Sequence, residues 1–148
     1  RLIINLEKLY LSLKKLNLKD EKIENYYSQS HKLGIVPKDL NKLKNKLFGI
    51  ECNYEELNGI DFKKGCYVGQ ENTARMKLKN KIRRQLMSIK TQKDIKIGDE
   101  IKFKDSVIGK VLIDKPYPFA LIKLFDPEFS EFKNKKLKIN NKIVEIII

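Results

Sequence analysis

The run "SVIGKVLI", Ser106–Ile113, is short, apolar and rich in β-branched residues, which is typical of a β-strand. It decides the fold class because five similar runs lie elsewhere in the chain. These follow one another through the last part of the chain: "RRQLMSIK" (83–90), "DEIKFK" (99–104), "FALIKLF" (119–125), "KKLKI" (135–139) and "KIVEIII" (142–148). Turn-forming stretches such as "KIGD", "DKPYP" and "INNK" separate them. Short strands at this near-regular spacing predict a small antiparallel sheet or barrel.

The chain before Lys81 shows helical spacing of its apolar residues instead. A first amphipathic helix is predicted by Leu6, Leu9, Tyr10, Leu13 and Leu16. A second is predicted with Asp20 as its N-cap, Gly34 at its C-terminus and Pro37 beyond, and with an apolar face of Ile23, Tyr26, Tyr27 and Leu33. The remaining stretches predict the end of a buried strand (Arg1–Asn5), a further short helix (39–48) and a loop (49–62).

This change of pattern divides the chain near Asn80. We predict an α+β segment over residues 1–80 and a β-barrel module over residues 81–148. Because the chain opens on Arg1, directly into apolar residues, we expect it to be the C-terminal part of a longer protein.

The net charge of +13 raises the question of a nucleic-acid partner. The cations are 28 Lys and only 4 Arg, spread along the chain without interleaved aromatic residues. This pattern favours a solvated basic shell, with an RNA-contact surface as the weaker alternative. The sequence shows no apolar run of the ~20 residues that a membrane helix needs, and no secretory signal is visible. We therefore expect a cytoplasmic protein with no membrane partner.

The stretch "FKKGCYVGQENTAR", Phe62–Arg75, concentrates the residue types that carry chemistry. Gly65 and Gly69 flank Cys66, and they permit either unusual backbone conformations or close approach by a ligand. The following residues have helical propensity, which places Cys66 just before a helix N-terminus, with two lysines nearby. Such surroundings favour the thiolate, so Cys66 is predicted to be a nucleophile, a redox-sensitive thiol or a soft metal ligand.

The alternative for Cys66 is a small buried structural residue, which is the commoner state of a single cysteine. Cys52 does not form a metal site with it, because the spacing matches no ligand motif and no His-rich set accompanies the pair. We also predict no permanent disulfide between the two. His31 lies beside the apolar face of the second helix and is predicted to be structural or exposed, although a His31–Cys66 dyad stays open.

The residues "KGCYVGQE", Lys64–Glu71, followed by Ala74 and Arg75, closely resemble the signature of the YgfZ family of folate-binding proteins. These are relatives of the aminomethyltransferase, or T-protein, of the glycine cleavage system. The segment from Tyr26 to Pro37 resembles the family's upstream aromatic helix, and the strand-rich tail takes the place of its C-terminal barrel. The resemblance covers nearly all of this chain and about the second half of a typical family member.

The resemblance implies an aminomethyltransferase-like folate-binding domain followed by a barrel. It implies binding of tetrahydrofolate or a derivative, and support of iron-sulfur cluster assembly or repair, including in enzymes of tRNA modification. Partners would be iron-sulfur enzymes or cluster-assembly proteins, with transient contact to a cluster. Cys66 matches the functional thiol, Tyr26 an aromatic folate contact, and the signature neighbours are Lys64, Gly65, Tyr67, Gly69, Gln70, Glu71 and Arg75.

Two alternatives accompany these implications. Tyr26 is either a folate contact or an ordinary core aromatic at helical spacing. The activity is either that of an accessory factor or that of a folate-dependent aminomethyltransferase, and "GC-x-x-GQE" favours the accessory factor because T-proteins typically lack it. Ser30 stands where many relatives carry an arginine, so one charged folate contact is predicted to be missing.

Overall fold

Six antiparallel strands form a closed barrel in the computed structural model, which describes residues 4–65, 70–79 and 82–147. The strands follow one another around the barrel in the order β1-β4-β3-β2-β5-β6. Their bounds are β1 Arg84–Thr91, β2 Glu100–Phe103, β3 Ser106–Ile113, β4 Phe119–Lys123, β5 Leu137–Ile139 and β6 Lys142–Ile146. Each lies within one of the six predicted runs or extends it by a single residue, so the predicted barrel is confirmed.

The barrel interior holds the larger of two apolar clusters. Closure pairs every strand on both sides, so no edge is left open. Side chains that point inward are completely or almost completely buried, and they include Met87, Ile89, Ile101, Ile108, Val111, Ala120, Ile122, Phe132, Leu137, Ile139 and Val144. Phe132 comes from α4 (Phe129–Phe132), a single turn that the sequence analysis missed because it is shorter than any periodic pattern can reveal.

Gly109 allows strands β3 and β4 to lie close together. A Cβ atom at this position would stand 2.6 Å from Ile122 Cδ1 and 2.8 Å from the Leu121 carbonyl oxygen. These distances are shorter than van der Waals contact, so only glycine fits without a shift of the neighbouring strand.

The second apolar cluster lies on the outer face of the same strands. Leu86, Leu112, Ile113, Phe119 and Leu121 point away from the barrel interior and pack on Leu43, with Val36 and Leu47 beside it. Strands β1, β3 and β4 are therefore apolar on both faces. The barrel supplies the platform on which the preceding segment rests.

The helices before the barrel are α1 (Leu6–Lys15), α2 (Ile23–Lys32) and α3 (Gln70–Leu78), with 3₁₀ helices at Leu40–Leu43 and Gly49–Cys52. Asn5 caps α1, since its side chain accepts a hydrogen bond from the Glu7 amide. The N-cap of α2 is Lys22, so the predicted Asp20 cap is wrong by two residues. Gly34 has a φ of 72° directly after α2, as predicted for a C-terminal glycine.

The predicted α+β organisation, helices first and a small antiparallel barrel after them, is confirmed. Most of the predicted strand at Arg1–Asn5 lies outside the described residues, and Ile4 and Asn5 are not in a strand. The boundary at Asn80 also falls outside the description, so the division into two domains stays a prediction. Among the helices that the structure describes, none is both long and apolar enough to cross a membrane.

Candidate functional site

The signature motif ends where α3 begins. Lys64 and Gly65 are exposed, and α3 starts at Gln70, so the predicted helix after the motif is confirmed. Cys66, Tyr67 and Gly69 lie outside the described residues. The description therefore covers both flanks of the cysteine: an exposed basic turn before it and a helix after it.

Contacts with the segment before the motif hold α3 in place. Lys77 donates to Glu55 with a distance of 2.6 Å between Nζ and Oε1, and the same ammonium group lies 5.8 Å from the Phe62 ring centroid. Both partners of the ion pair are partly exposed, so the pair contributes at most about 1 kcal/mol. The ion pair connects α3 with the segment before the motif.

Glu71 and Arg75 are brought together on the exposed face of α3. The distance between Arg75 Nη2 and Glu71 Oε1 is 4.0 Å, and the two side chains are 62% and 87% exposed. A pair this long and this exposed stabilises the helix very little. Both charges are therefore accessible to a ligand or a partner beside the motif.

Gly65 is not required by its backbone conformation. Its φ does not fall in the left-handed region, and a Cβ atom would meet no atom of the described residues within 4 Å. The first explanation offered above for this glycine, an unusual backbone conformation, is therefore wrong. Close approach of a ligand to its backbone stays a prediction.

An open cleft of about 790 Å³ lies between α3 and the segment before the motif. Phe62, Lys63, Ala74 and Lys77 line it, together with Glu55, Asn58, Ile60, Asp61 and Leu78. Its wall combines apolar side chains with charges of both signs. A cleft of this size can hold a ligand with an apolar ring and polar substituents.

Tyr26 is exposed on α2 and is not a core residue in the described part of the chain. The side chain is 61% exposed, and its ring packs edge-on against Tyr27 with 5.6 Å between centroids. The core-aromatic alternative is therefore wrong here, and a ring face is available for stacking on a flat ligand.

The described residues do not join Tyr26 to the motif. No hydrogen bond, ion pair or aromatic contact among them connects Tyr26 with Lys64, Glu71 or Arg75, and Tyr26 does not line the cleft beside α3. The exposed ring of Tyr26 is suited to stack on a flat ring such as that of a folate, but the described residues do not enclose a molecule of that size. Ser30, at the position of the missing arginine, donates instead to the Tyr26 carbonyl oxygen within its own helix.

Cys52 has the opposite character from that predicted for Cys66. It is half-buried in an apolar cleft, and burial together with the neighbouring Glu51 carboxylate raises its pKa to about 11. Its Sγ lies 3.6 Å from the Phe48 carbonyl oxygen, to which the thiol donates. Cys52 is therefore an unreactive thiol at neutral pH.

Within the described ranges, no three His, Cys, Asp or Glu side chains gather as a metal site.

A polar joint between the helical segment and the barrel escaped the sequence analysis. Glu51 is only 3% exposed, and its carboxylate accepts from the Phe48 amide (2.8 Å) and from Arg84 Nε (2.9 Å). Asn53, also buried, donates to the Leu86 carbonyl oxygen (2.8 Å) and accepts from Gln85 (2.7 Å). The acidic residue in an apolar 3₁₀ turn is the one sequence signal that could have indicated this joint.

His31 makes a further contact across the joint and is buried, so its predicted structural role is confirmed. Its Nε2 lies 2.8 Å from the Pro118 carbonyl oxygen and must donate, because a carbonyl only accepts. The ring also packs edge-on against Phe119 at 5.0 Å. Burial lowers the pKa of His31, which favours the neutral ring.

The helices, the motif and the barrel define an α+β protein of the class that the resemblance predicted. No protein-family model matches the chain. Among curated proteins, it is 34% identical over 93 residues to the "iron-sulfur cluster assembly factor IBA57 homolog, mitochondrial" of Dictyostelium discoideum. It is 32% identical over 121 residues to the "tRNA-modifying protein YgfZ" of Buchnera aphidicola, and 36% identical over 98 residues to that of Aliivibrio fischeri.

These matches cover 60%, 74% and 65% of the chain, respectively. The chain belongs to the YgfZ/IBA57 family. It spans only 22%, 36% and 30% of the length of the same three relatives.

Proposed function

We propose that this chain is part of an accessory protein that supports the assembly or repair of iron-sulfur clusters, including those of enzymes that modify tRNA. The observation that carries the proposal is the "KGCYVGQE" motif, whose last two residues begin α3, in a chain of the YgfZ/IBA57 family. The proposed partners are iron-sulfur enzymes or cluster-assembly proteins. Because the matched relatives include a mitochondrial protein, the cytoplasmic location stays a prediction.

Cys66 is the proposed functional thiol. The exposed Lys63 and Lys64 precede it and α3 follows it, and both features favour the thiolate. Cys52 does not compete for this role, because its pKa of about 11 keeps it protonated. The exposed Glu71 and Arg75 are proposed to orient the partner or ligand that Cys66 meets.

The cellular test of this proposal compares the two cysteines. Cells that express Cys66→Ser in place of the natural protein should lose the activity of dependent iron-sulfur enzymes, measured relative to the amount of each enzyme. Cys52→Ser serves as the matched control and should retain that activity. Normal enzyme activity with Cys66→Ser, at normal levels of the variant, would contradict the proposal.

We further propose that the protein binds tetrahydrofolate or a derivative, with Tyr26 as one contact. Support comes from the exposed ring face of Tyr26 and from the family resemblance of its helix. Titration with tetrahydrofolate should show saturable binding that Tyr26→Ala weakens by about tenfold, as expected for the loss of one stacked ring. Tyr10→Ala, an equally exposed tyrosine on α1, is the control and should bind normally. If the natural protein, Tyr26→Ala and Tyr10→Ala bind tetrahydrofolate equally, Tyr26 is not a folate contact.

The relatives favour the accessory role over the aminomethyltransferase alternative. The three described above carry assembly or tRNA-modification names, and none is named as a transferase. Formation of a folate one-carbon adduct from an aminomethyl donor by the purified protein would restore the transferase alternative.

A further inference from the structure

A groove of about 510 Å³ lies against the outer face of the barrel. We call it the barrel groove. The apolar part of its lining, which we call the floor, includes Ile97, Val107, Leu112 and Leu121. Ile97 is 43% exposed and Val107 is partly exposed, whereas Leu112 and Leu121 are buried where they pack on the helical segment. The part of the floor that faces solvent is therefore formed by Ile97 and Val107.

Cations line the rim of the barrel groove. Lys46 comes from the loop after the first 3₁₀ helix, Lys110 from β3 and Lys123 from β4, and all three are exposed. Among the described residues, no carboxylate lies within 4.0 Å of these three ammonium groups. A fourth cation, Arg84, is directly opposite Lys123 in the β1–β4 pair, but Glu51 already neutralises it.

The stability of the barrel does not account for all of these charges. Lys110 is directly opposite Glu100 in the β2–β3 pair, which is a favourable arrangement. Lys46 and Lys123, in contrast, have no acidic partner within 4.0 Å in the part of the chain that the structure describes. Among the described residues, Glu100 is the one acidic residue in the lining. The groove therefore carries a net positive rim beside an apolar floor that is partly exposed.

We infer that the barrel groove binds an acidic, amphipathic segment of a partner protein. Carboxylates of such a segment would pair with Lys46, Lys110 and Lys123, while its apolar side chains would cover the floor. RNA fits less well, because none of the described lining residues is an aromatic on which a base could stack, and phosphates would leave the floor uncovered. The inference is independent of the proposed role of Cys66.

The test uses the full chain and a fluorescently labelled peptide of alternating leucine and glutamate, which places its leucines on one side when extended. Fluorescence anisotropy should show saturable binding. Replacement of both Lys110 and Lys123 by glutamine should weaken it about tenfold, because two exposed ion pairs to the peptide are lost. A control with Lys90→Gln and Lys136→Gln removes the same charge at exposed positions that line a different cleft, and should bind normally.

Two further probes separate the alternatives. A peptide of alternating serine and glutamate should bind at least about tenfold more weakly than the leucine peptide, since the floor would stay uncovered. Equal binding of the two peptides, equal losses in the two lysine variants, or no binding of the leucine peptide would each overturn the inference. Tighter binding of a single-stranded oligouridylate, lost in the Lys110 and Lys123 variant and with high salt, would assign the groove to RNA instead.

Discussion

The barrel and the segment before it bury their apolar residues to very different extents. In the barrel, the inward side chains of all six strands are buried, and closure leaves no strand edge free. In α1, no residue is buried, although Leu6, Leu9 and Tyr10 follow the spacing of an amphipathic helix. On α2, Ser30 and His31 are the residues that are buried, while Tyr26 is exposed.

This difference separates the source of stability from the proposed source of function. A closed barrel with its own core is held by burial of apolar area, the dominant favourable contribution to folding. The motif, its exposed charges and Tyr26 lie in the segment with little core of its own. The joint, formed by the hydrogen bonds of Glu51, Asn53 and His31, connects that segment to the barrel together with the second apolar cluster.

The largest expected effect comes from breaking this joint. Glu51→Gln removes the buried carboxylate that accepts from Arg84, and we expect the free energy of unfolding to fall by about 1.5–3 kcal/mol, the range for hydrogen bonds to charged groups. Glu55→Gln removes the partner of Lys77 at a partly exposed site and should cost no more than about 1 kcal/mol. Urea denaturation of both variants measures the comparison. Equal losses would show that burial of Glu51 does not hold the two regions together.

A smaller effect is expected from adding one methyl group in each region. Gly109→Ala forces a Cβ atom to within 3 Å of two neighbours, and it should cost roughly 1–3 kcal/mol of unfolding free energy. Gly65→Ala meets open space and should leave the unfolding free energy unchanged within about 0.5 kcal/mol. If Gly65→Ala nevertheless loses support of iron-sulfur enzymes, close approach of a ligand or partner to this backbone is the reason. A substantial loss of stability in Gly65→Ala would contradict the open space that the described residues leave beside Gly65.

The smallest expected effect is a dependence of the unfolding free energy on pH, and it comes from His31 in the joint. Because burial lowers the pKa of His31 in the folded protein, the unfolded chain binds its proton more readily. The stability that neutral His31 contributes is present above its unfolded pKa of about 6.5 and is lost as pH falls below that value. His31→Gln keeps a side-chain donor but cannot titrate in this range, so its unfolding free energy should vary less between about pH 7 and pH 5. If the natural chain and His31→Gln show the same dependence of unfolding free energy on pH, the protonation of His31 does not affect stability.

The sequence predicted the barrel well because each strand is marked by a local run and each turn by its own residues. The six strands needed no knowledge of their partners, and α1 to α3 needed only periodicity or propensity. The joint could not be predicted in this way, because Glu51 and Arg84 are 33 residues apart and only the fold brings them together. Tyr26 shows the same limit, since helical spacing places it on an apolar face but cannot tell what covers that face.

For the motif, the residues alone left Cys66 open between a reactive thiol and a buried structural cysteine, and the family resemblance decided in favour of the thiol. The role of Gly65 stays a prediction, because its backbone is ordinary and the described residues leave open space beside it. Membership of the YgfZ/IBA57 family is confirmed, whereas the roles of the individual motif residues stay proposals.

The most direct test of the central claim is the unfolding free energy of Cys66→Ser compared with that of the natural chain. A functional thiol at an exposed motif predicts a change within about 0.5 kcal/mol, together with the loss of iron-sulfur enzyme support in cells. A buried structural cysteine predicts instead a loss of roughly 1–3 kcal/mol, because the serine hydroxyl would be desolvated without a partner. That second result would place Cys66 in the core and contradict the account.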